Sequence, residues 1–283
     1  MKKILITGNS GYIGSHLTKL LIDEYILEGI DLNSPQVEIK HAYQDIRLLT
    51  PTYYAGEEFD VVVHLAALVN VGESVNNPIS YYHTNLTGTL NVLHSVKTKN
   101  FILASTGAAE GCASPYGVSK RAAEDITRQY CQVNNIPFTL FRFYNVIGSD
   151  GISPTNPDGL MYNLMKAPEA GKFTIFGNDY DCSNDGTCVR DYVHVMEICN
   201  AIRLAVEKPS GQIECLGHGV GYTVQEMVRL FQRVNEVEFH IEYGPRRAGD
   251  LPSSVLEDVS PYMEKLYTME ELLIYDLNNG PAT

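Results

Sequence analysis

The sequence predicts an α/β fold, a doubly wound parallel sheet followed by a smaller mixed α/β domain. Two observations carry this reading. Short, continuous apolar runs recur through the first half of the chain, as strands buried on both faces require, and stretches of helical periodicity alternate with them. The first run also opens into a glycine-spaced turn that leads straight into a helix.

Ile4-Leu5-Ile6 is the first strand, and Thr7-Gly8-Asn9-Ser10-Gly11-Tyr12-Ile13-Gly14 is the turn. Beyond it Ile13, Leu17, Leu20 and Leu21 fall on one helical face. Three glycines placed between a strand and a helix let backbone approach a pyrophosphate and aim the helix N-terminus at its charge. The spacing G-x-x-G-x-x-G is a variant of the dinucleotide fingerprint of a Rossmann-type sheet, with Gly8, Gly11, Tyr12, Ile13 and Gly14 against the cofactor. The second run, Tyr25 to Ile30, ends in Asp31. A carboxylate there suits the adenosine ribose hydroxyls and repels a 2′-phosphate, so NAD is expected in preference to NADP. Asn33 belongs to the same pocket, and Asp45 with Ile46 flanks the adenine.

The third strand runs from Val61 to Leu65, and Ala66-Ala67 follow where a bulky side chain would collide with the cofactor. His64, inside this apolar run, reads as a packed histidine rather than a ligand. A helix over residues 79–97 carries Tyr82, Leu86, Leu90 and Leu93 on one stripe, and Asn85 within it is assigned to the cofactor. The fourth strand, Phe101 to Ala104, ends at Ser105-Thr106; a helix from Pro115 and a fifth strand, Phe138 to Phe141, come after it. Ligands of such sheets bind beyond the carboxyl ends of the strands, where Gly8, Asp31, Leu65, Ala66, Thr106 and Asn145 fall.

Chemistry concentrates in Ser114-Pro115-Tyr116-Gly117-Val118-Ser119-Lys120. Tyr116 and Lys120 stand four apart, so a helix puts an ammonium beside a phenol. A phenol of pKa near ~10 is a poor base at neutral pH. Lowering it by roughly three units asks for about 4 kcal/mol, which one cation supplies only in part. An oxidised nicotinamide ring would be the second positive charge.

Apolar periodicity breaks after Ile147 into Gly148-Ser149-Asp150-Gly151-Ile152-Ser153-Pro154, a loop-like composition, and the domain boundary is placed there, giving domains 1–147 and 148–283. Thr223-Val224-Gln225-Glu226 reads as a capping box opening a helix whose buried face is Val224, Met227, Val228 and Phe231. The net charge of −13 argues against a nucleic-acid or anionic-membrane partner. Six cysteines without a C-x-x-C pair read as reduced thiols of a cytoplasmic protein. The apolar run after Lys2-Lys3 stops too soon for a signal peptide, and no stretch has transmembrane length.

With these residues assembled, the chain resembles the extended short-chain dehydrogenase/reductase superfamily and, within it, the UDP-glucose 4-epimerase family. The matching stretches are Thr7 to Gly14, Val71 to Val75, Tyr81-Tyr82, Asn85, Tyr116 to Lys120, Ile175 to Tyr180, Asp185 to Thr187, Val189 to Met196, and Pro245 to Pro252. The resemblance implies bound NAD, a UDP-sugar substrate, and a homodimer joined through the helices beginning near Ile79 and Tyr116. It implies that Tyr116 takes the sugar O4 proton while hydride moves from C4 to NAD, giving a 4-keto sugar that turns over and is reduced on its other face. Lys120 lowers the Tyr116 pKa and holds the nicotinamide ribose, and Thr106 shares O4 with Tyr116. Asn145 and Asn163 contact the UDP moiety, Phe173 and Phe176 border the uracil, Arg190 and Arg247 hold the diphosphate, and Asp250 meets the nucleotide ribose. A strand and helix over about 190–206 return to the first domain.

Departures from the family pattern are also legible. The usual loop ahead of Ser114 is reduced to Cys112-Ala113, which opens the surroundings of Tyr116; Val69 replaces a cofactor-contacting Lys, and Phe143 replaces a Tyr. Ser254 stands where glucose/galactose-restricted members carry a bulky aromatic, and small residues there go with N-acetyl sugars. A 4,6-dehydratase or decarboxylase would need acids after Thr106, where Gly107-Ala108-Ala109 stand with only Glu110 nearby. A nucleotide-binding protein that has lost activity is the remaining alternative.

Overall fold

Ile4, Leu5 and Ile6 are completely buried, so the first apolar run forms an interior strand, β1 (Lys3–Thr7). The chain continues through α1 (Tyr12–Leu21), β2 (Ile26–Asp31), β3 (Lys40–Tyr43), a 3₁₀ turn at Ile46–Leu48, β4 (Glu58–Phe59) and β5 (Val61–His64). Next come α2 (Val71–Asn76), α3 (Pro78–Tyr81), a π turn (Tyr82–Thr87), α4 (Gly88–Ser95), β6 (Lys97–Thr98), β7 (Phe101–Thr106), α5 (Ala108–Gly111), α6 (Pro115–Val133) and β8 (Phe138–Phe143). The second half holds β9 (Asn145–Ile147), α7 (Leu160–Ala170), β10 (Lys172–Phe176), β11 (Val189–His194), α8 (Val195–Glu207), β12 (Ile213–Leu216), β13 (Gly221–Thr223), α9 (Val224–Val234), β14 (His240–Gly244), β15 (Ser253–Ser254) and α10 (Met269–Leu273). This computed structural model describes residues 1–148, 152, 154, 156, 159–247, 250–263 and 267–274. Of the loop read over 148–154, residues 149–151 and 153 lie outside the described residues, as do Ala248 and Gly249 of the Pro245–Pro252 stretch.

The main sheet has seven strands in the order β12-β8-β7-β5-β1-β2-β3, and the pairs from β7 to β3 are parallel. Strand order runs outward in opposite directions from the β1/β5 pair, which makes that pair the topological switch point where such sheets bind ligands. The expected doubly wound α/β architecture is therefore present. β3 was not expected: Lys-His-Ala-Tyr lacks an apolar run, because it is an edge strand held by its ladder to β2.

The helix expected over 79–97 begins at Pro78 and ends at Ser95, and the π turn interrupts it. One extra residue in that turn rotates α4 about the helix axis, so the expected stripe breaks: Leu93 is buried, but Leu90 is 46% exposed, and Tyr81, Asn85, Thr89 and Val92 take the interior. At α9 the capping box is present, with the Thr223 hydroxyl accepting from Glu226 N–H and the Glu226 carboxylate from Thr223 N–H. Met227, Val228 and Phe231 are buried there, whereas Val224 is only partly so.

The chain divides into two units, one comprising Met1–Arg142 with Cys199–Glu214 and the other Phe143–Ile198 with Cys215–Thr283. The returning segment is thus mostly helix and strand after Cys199. Leu5, Val62, Leu103 and Leu140 of the sheet centre the first core; Met161, Ile175, Tyr192 and Phe231 centre the second.

Candidate active site

In the first unit the glycine turn follows β1. Gly8 takes φ +79°, and a side chain on it would press within 2.7 Å of Ala66 N; a side chain on Gly14 would overlap the Gly8 carbonyl oxygen. Gly11 is the N-cap of α1 and has no side chain to occupy the helix N-terminus. A helix N-terminus with bare backbone ahead of it fits a pyrophosphate. Tyr12 and Ile13 open the helix, and burial drives the Tyr12 phenol well above its ordinary pKa. Asp31, at the end of β2, accepts from Ser10 N–H at 3.2 Å and from Asn33 N–H at 3.0 Å, which fixes a carboxylate beside the turn. This arrangement fits a ribose. Leu65, Ala66 and Ala67 follow β5, and Leu65 N–H donates to Thr7 O at 3.0 Å.

Two residues assigned to the cofactor spend their polar groups on the protein. Asp45 caps the 3₁₀ turn and pairs with Arg47 at 2.6 Å, while Ile46 is buried in the core beside α4. Asn85, on the π turn, accepts from Leu68 N–H at 2.8 Å and donates to Leu68 O at 2.9 Å and to Ser119 Oγ at 3.0 Å. Its carboxamide splints the segment after β5 to α6, so it bears on that segment through Leu68. Val69 is exposed.

His64 is buried and uses both ring nitrogens. Thr89 Oγ1 gives its proton to Asn85 O, so His64 Nε2 must donate to Thr89 at 2.9 Å, and Nδ1 accepts from Thr7 Oγ1 at 2.6 Å. Burial, helped by the Lys120 charge, holds its pKa down to about 3. It is the neutral packed histidine expected.

Ser114 caps α6 by accepting from Gly117 N–H at 3.2 Å, and Pro115 occupies the first turn, so the helix starts just ahead of Tyr116. Tyr116 is 8% exposed and stands edge-on to Tyr81 with ring centroids 6.3 Å apart. The surroundings expected to be open are closed at Tyr116: α5 and the left-handed Cys112 bridge β7 to α6, and Tyr81 packs against the ring. Burial pushes the Tyr116 phenol up to about 12, opposed by its hydrogen bond with Thr106. Burial also lowers the Lys120 ammonium to about 8, opposed by the Glu124 charge. Burial therefore outweighs the expected lowering of Tyr116 by Lys120 in the protein alone. A second cation is what the chemistry requires.

In the second unit Arg190, on β11, pairs with Asp250 at 3.5 Å, and Ser254, on β15, is the register partner of Arg190. Asn145 donates to Asp191 O at 2.9 Å and Asn163 to Gly159 O at 2.8 Å. Arg247 lies over the Phe176 ring at 4.2 Å. Phe173 departs from its expected place: three residues from Phe176 on one strand, it points to the opposite face and packs with Phe239 in the core.

Sequence reasoning missed the groups behind these side chains. Asp191 is buried, its carboxylate accepting from His218, Gly219 and Leu256 N–H, which clamps the segment carrying Ser254; desolvation raises its pKa against those bonds. Glu124 and Arg142 form a buried pair behind Lys120. The available signal was the acid itself, on the buried face of α6.

Residues 4–215 match the NAD dependent epimerase/dehydratase family. The chain is similar to the UDP-glucose 4-epimerase of Pasteurella multocida, 30% identical over 298 residues that cover 88% of this chain and 87% of that protein. Among solved structures it is similar to the UDP-glucose 4-epimerase from Bifidobacterium longum in complex with NAD+ and UDP, with a TM-score of 0.84, 27% identity and 96% of each chain covered. It is also similar to the UDP-Glc/GlcNAc 4-epimerase from Campylobacter jejuni, with a TM-score of 0.77, 28% identity, and 96% of this chain and 97% of that one covered.

Proposed function

Because the chain belongs to the NAD dependent epimerase/dehydratase family, we propose that it is an NAD-dependent UDP-sugar 4-epimerase acting through a transient 4-keto sugar. The observation that carries this reading is the buried Tyr116 and Lys120 at the start of α6 with the half-buried Thr106 at the carboxyl end of β7, hydrogen-bonded to Tyr116. NAD would be held by the Gly8 to Gly14 turn, Asp31, Asn33, the Leu65 to Ala67 segment and Lys120, and when bound it supplies reversible oxidation at the sugar C4. Thr106 and Tyr116 address O4; the Tyr116 phenolate takes its proton and returns it to the same oxygen after the sugar has turned over. Lys120 keeps a positive charge beside that phenolate. Arg190 and Arg247 bind the diphosphate, Asn145, Asn163 and Asp250 take the nucleoside, and Phe176 borders the uracil.

Glu110 is exposed on α5, which leaves no buried acid directly after Thr106 for the dehydratase or decarboxylase chemistry. Incubation with UDP-glucose, UDP-galactose and their N-acetylamino counterparts, read by product chromatography, tests the reading. Interconversion of a 4-epimer pair without net NADH is expected, and no interconversion of any pair overturns it. Ser254 is small beside Arg190, which supports acceptance of N-acetyl sugars as well. Ser254→Tyr should then lower the ratio of N-acetylated to plain substrate turnover, and an unchanged ratio removes the argument.

The protein works as a homodimer in this proposal, paired through α3, α4 and α6, where Ile79 and Leu90 are exposed on the first two and Val118 on the third. A reducing, cytoplasmic setting agrees with six free thiols, and no helix among the described residues is long and apolar enough to cross a membrane.

A further inference from the structure

One turn beyond Lys120 on α6 stands Glu124, with no solvent exposure. Its Oε1 accepts from the Ser105 hydroxyl at 2.5 Å and from Arg142 Nε at 2.9 Å, and its Oε2 accepts from the Arg142 guanidinium at 2.8 Å. The three side chains come from α6, β7 and β8. Two of them adjoin the reaction group: Ser105 immediately precedes Thr106, and Glu124 is one helical turn from Lys120. A buried ion pair of this kind gains little stability over apolar residues of the same bulk, because desolvating both charges offsets their attraction. Its placement behind a base, a cation and a hydroxyl that must act together calls for another reason.

We propose that Glu124, held by Ser105 and Arg142, is the positioning group of the proposed active site, fixing Lys120 as an ammonium and Thr106 in line with Tyr116. The proposal rests on the reading of Tyr116 as the base. Ser105 ties the end of β7 to α6, so the Thr106 hydroxyl and the Tyr116 phenol are referred to one rigid helix. Arg142 ties the end of β8 to the same carboxylate. Lys120 has left water and loses affinity for its proton, and Glu124 is the group that opposes this loss. His64, at the end of β5, feels the Lys120 charge and stays neutral, Tyr116 and Thr106 share a hydrogen bond, and Arg142, on β8, is paired with Glu124. With His64 neutral, the Glu124 carboxylate is the counter-charge that keeps Lys120 able to stabilise a phenolate.

The deciding variant is the pair Glu124→Met with Arg142→Met, which removes both charges and keeps the bulk. The expected result is a folded protein that binds NAD at the parent's stoichiometry, with kcat lower by about ten- to a hundredfold and KM within about twofold. The alkaline limb of its pH profile should move down by about one unit, because Lys120 loses its proton earlier. A folded pair variant with the parent's kcat and alkaline limb overturns the proposal. If the pair variant does not fold, Ser105→Ala serves: a kcat drop of about tenfold at unchanged KM is expected, with a melting temperature lowered by a few degrees, and parental kcat overturns the proposal. A readout independent of turnover is the carbon-13 NMR titration of the Lys120 side chain, assigned in each protein by its Lys120→Met counterpart. The Lys120 transition should fall by about one unit in the Met pair, and an unmoved transition overturns the positioning role. Failure of the 4-epimerase reading would appear separately, as a parent protein that interconverts no UDP-sugar pair.

Discussion

At the scale of single residues, burial opposes ionisation of the Tyr116 phenol and protonation of the His64 ring. Tyr116→Phe removes the base while leaving the cofactor turn intact, so kcat should fall by about 10²- to 10⁴-fold with NAD stoichiometry unchanged, measured by turnover and by bound-nucleotide analysis of the purified protein. For His64 the sign is fixed by its depressed affinity, from an ordinary pKa of 6.5 to about 3. The folded state excludes the proton, so this contribution is complete above about pH 6.5 and is lost as pH falls through about 3. Melting temperature against pH should drop across that window by the equivalent of several kcal/mol. A His64→Gln variant should show a shallower slope there, and an equal slope would assign acid lability to other groups. Tyr116, Lys120, Thr106 and Asp31 were legible because their chemistry goes with a spacing: a phenol four residues from an amine, a hydroxyl or an acid at a strand end. Glu124 was not, because an acid four residues after a lysine on a helix reads equally well as a surface ion pair. Phe173 misled because it was carried over with Phe176 from the family resemblance, whereas side chains three apart on a strand point to opposite faces.

At the scale of elements, the turn from β1 to α1 depends on two backbones passing without side chains between them. Gly14→Ala places a methyl group against the Gly8 carbonyl oxygen and should cost about 1–3 kcal/mol in urea unfolding while abolishing stoichiometric NAD binding. Retained NAD with parental stability would show that the turn can relax. β1, β2, β5, β7 and β8 were legible as apolar runs because they are buried on both faces. The edge strand β3 was hidden because its hydrogen bonds, rather than its side chains, define it. The π turn was hidden too: an extra residue in a helix changes hydrogen-bond partners without changing composition. It nevertheless decides which face of the following helix is buried, and with that it leaves Leu90 on the surface.

At the scale of the whole molecule, the proposed homodimer would pair through the exposed side chains of Ile79, Leu90 and Val118. Leu90→Glu should convert a dimer into a monomer in sedimentation velocity with little change in the melting temperature of the fold itself. A parent protein that sediments as a monomer at all concentrations overturns the dimer. The division of the chain has a different kind of consequence. β12 closes the sheet beside β8, yet the Phe143–Ile198 segment of the second unit intervenes in sequence between them. β8 is buried along its entire length in the finished protein. On the ribosome, however, it emerges as an open, apolar edge and waits until Leu216 has been released before its neighbour can pair with it. The period of greatest aggregation risk therefore falls while that intervening segment and α8 are being translated, and synthesis interrupted there would leave a sticky fragment instead of a working half.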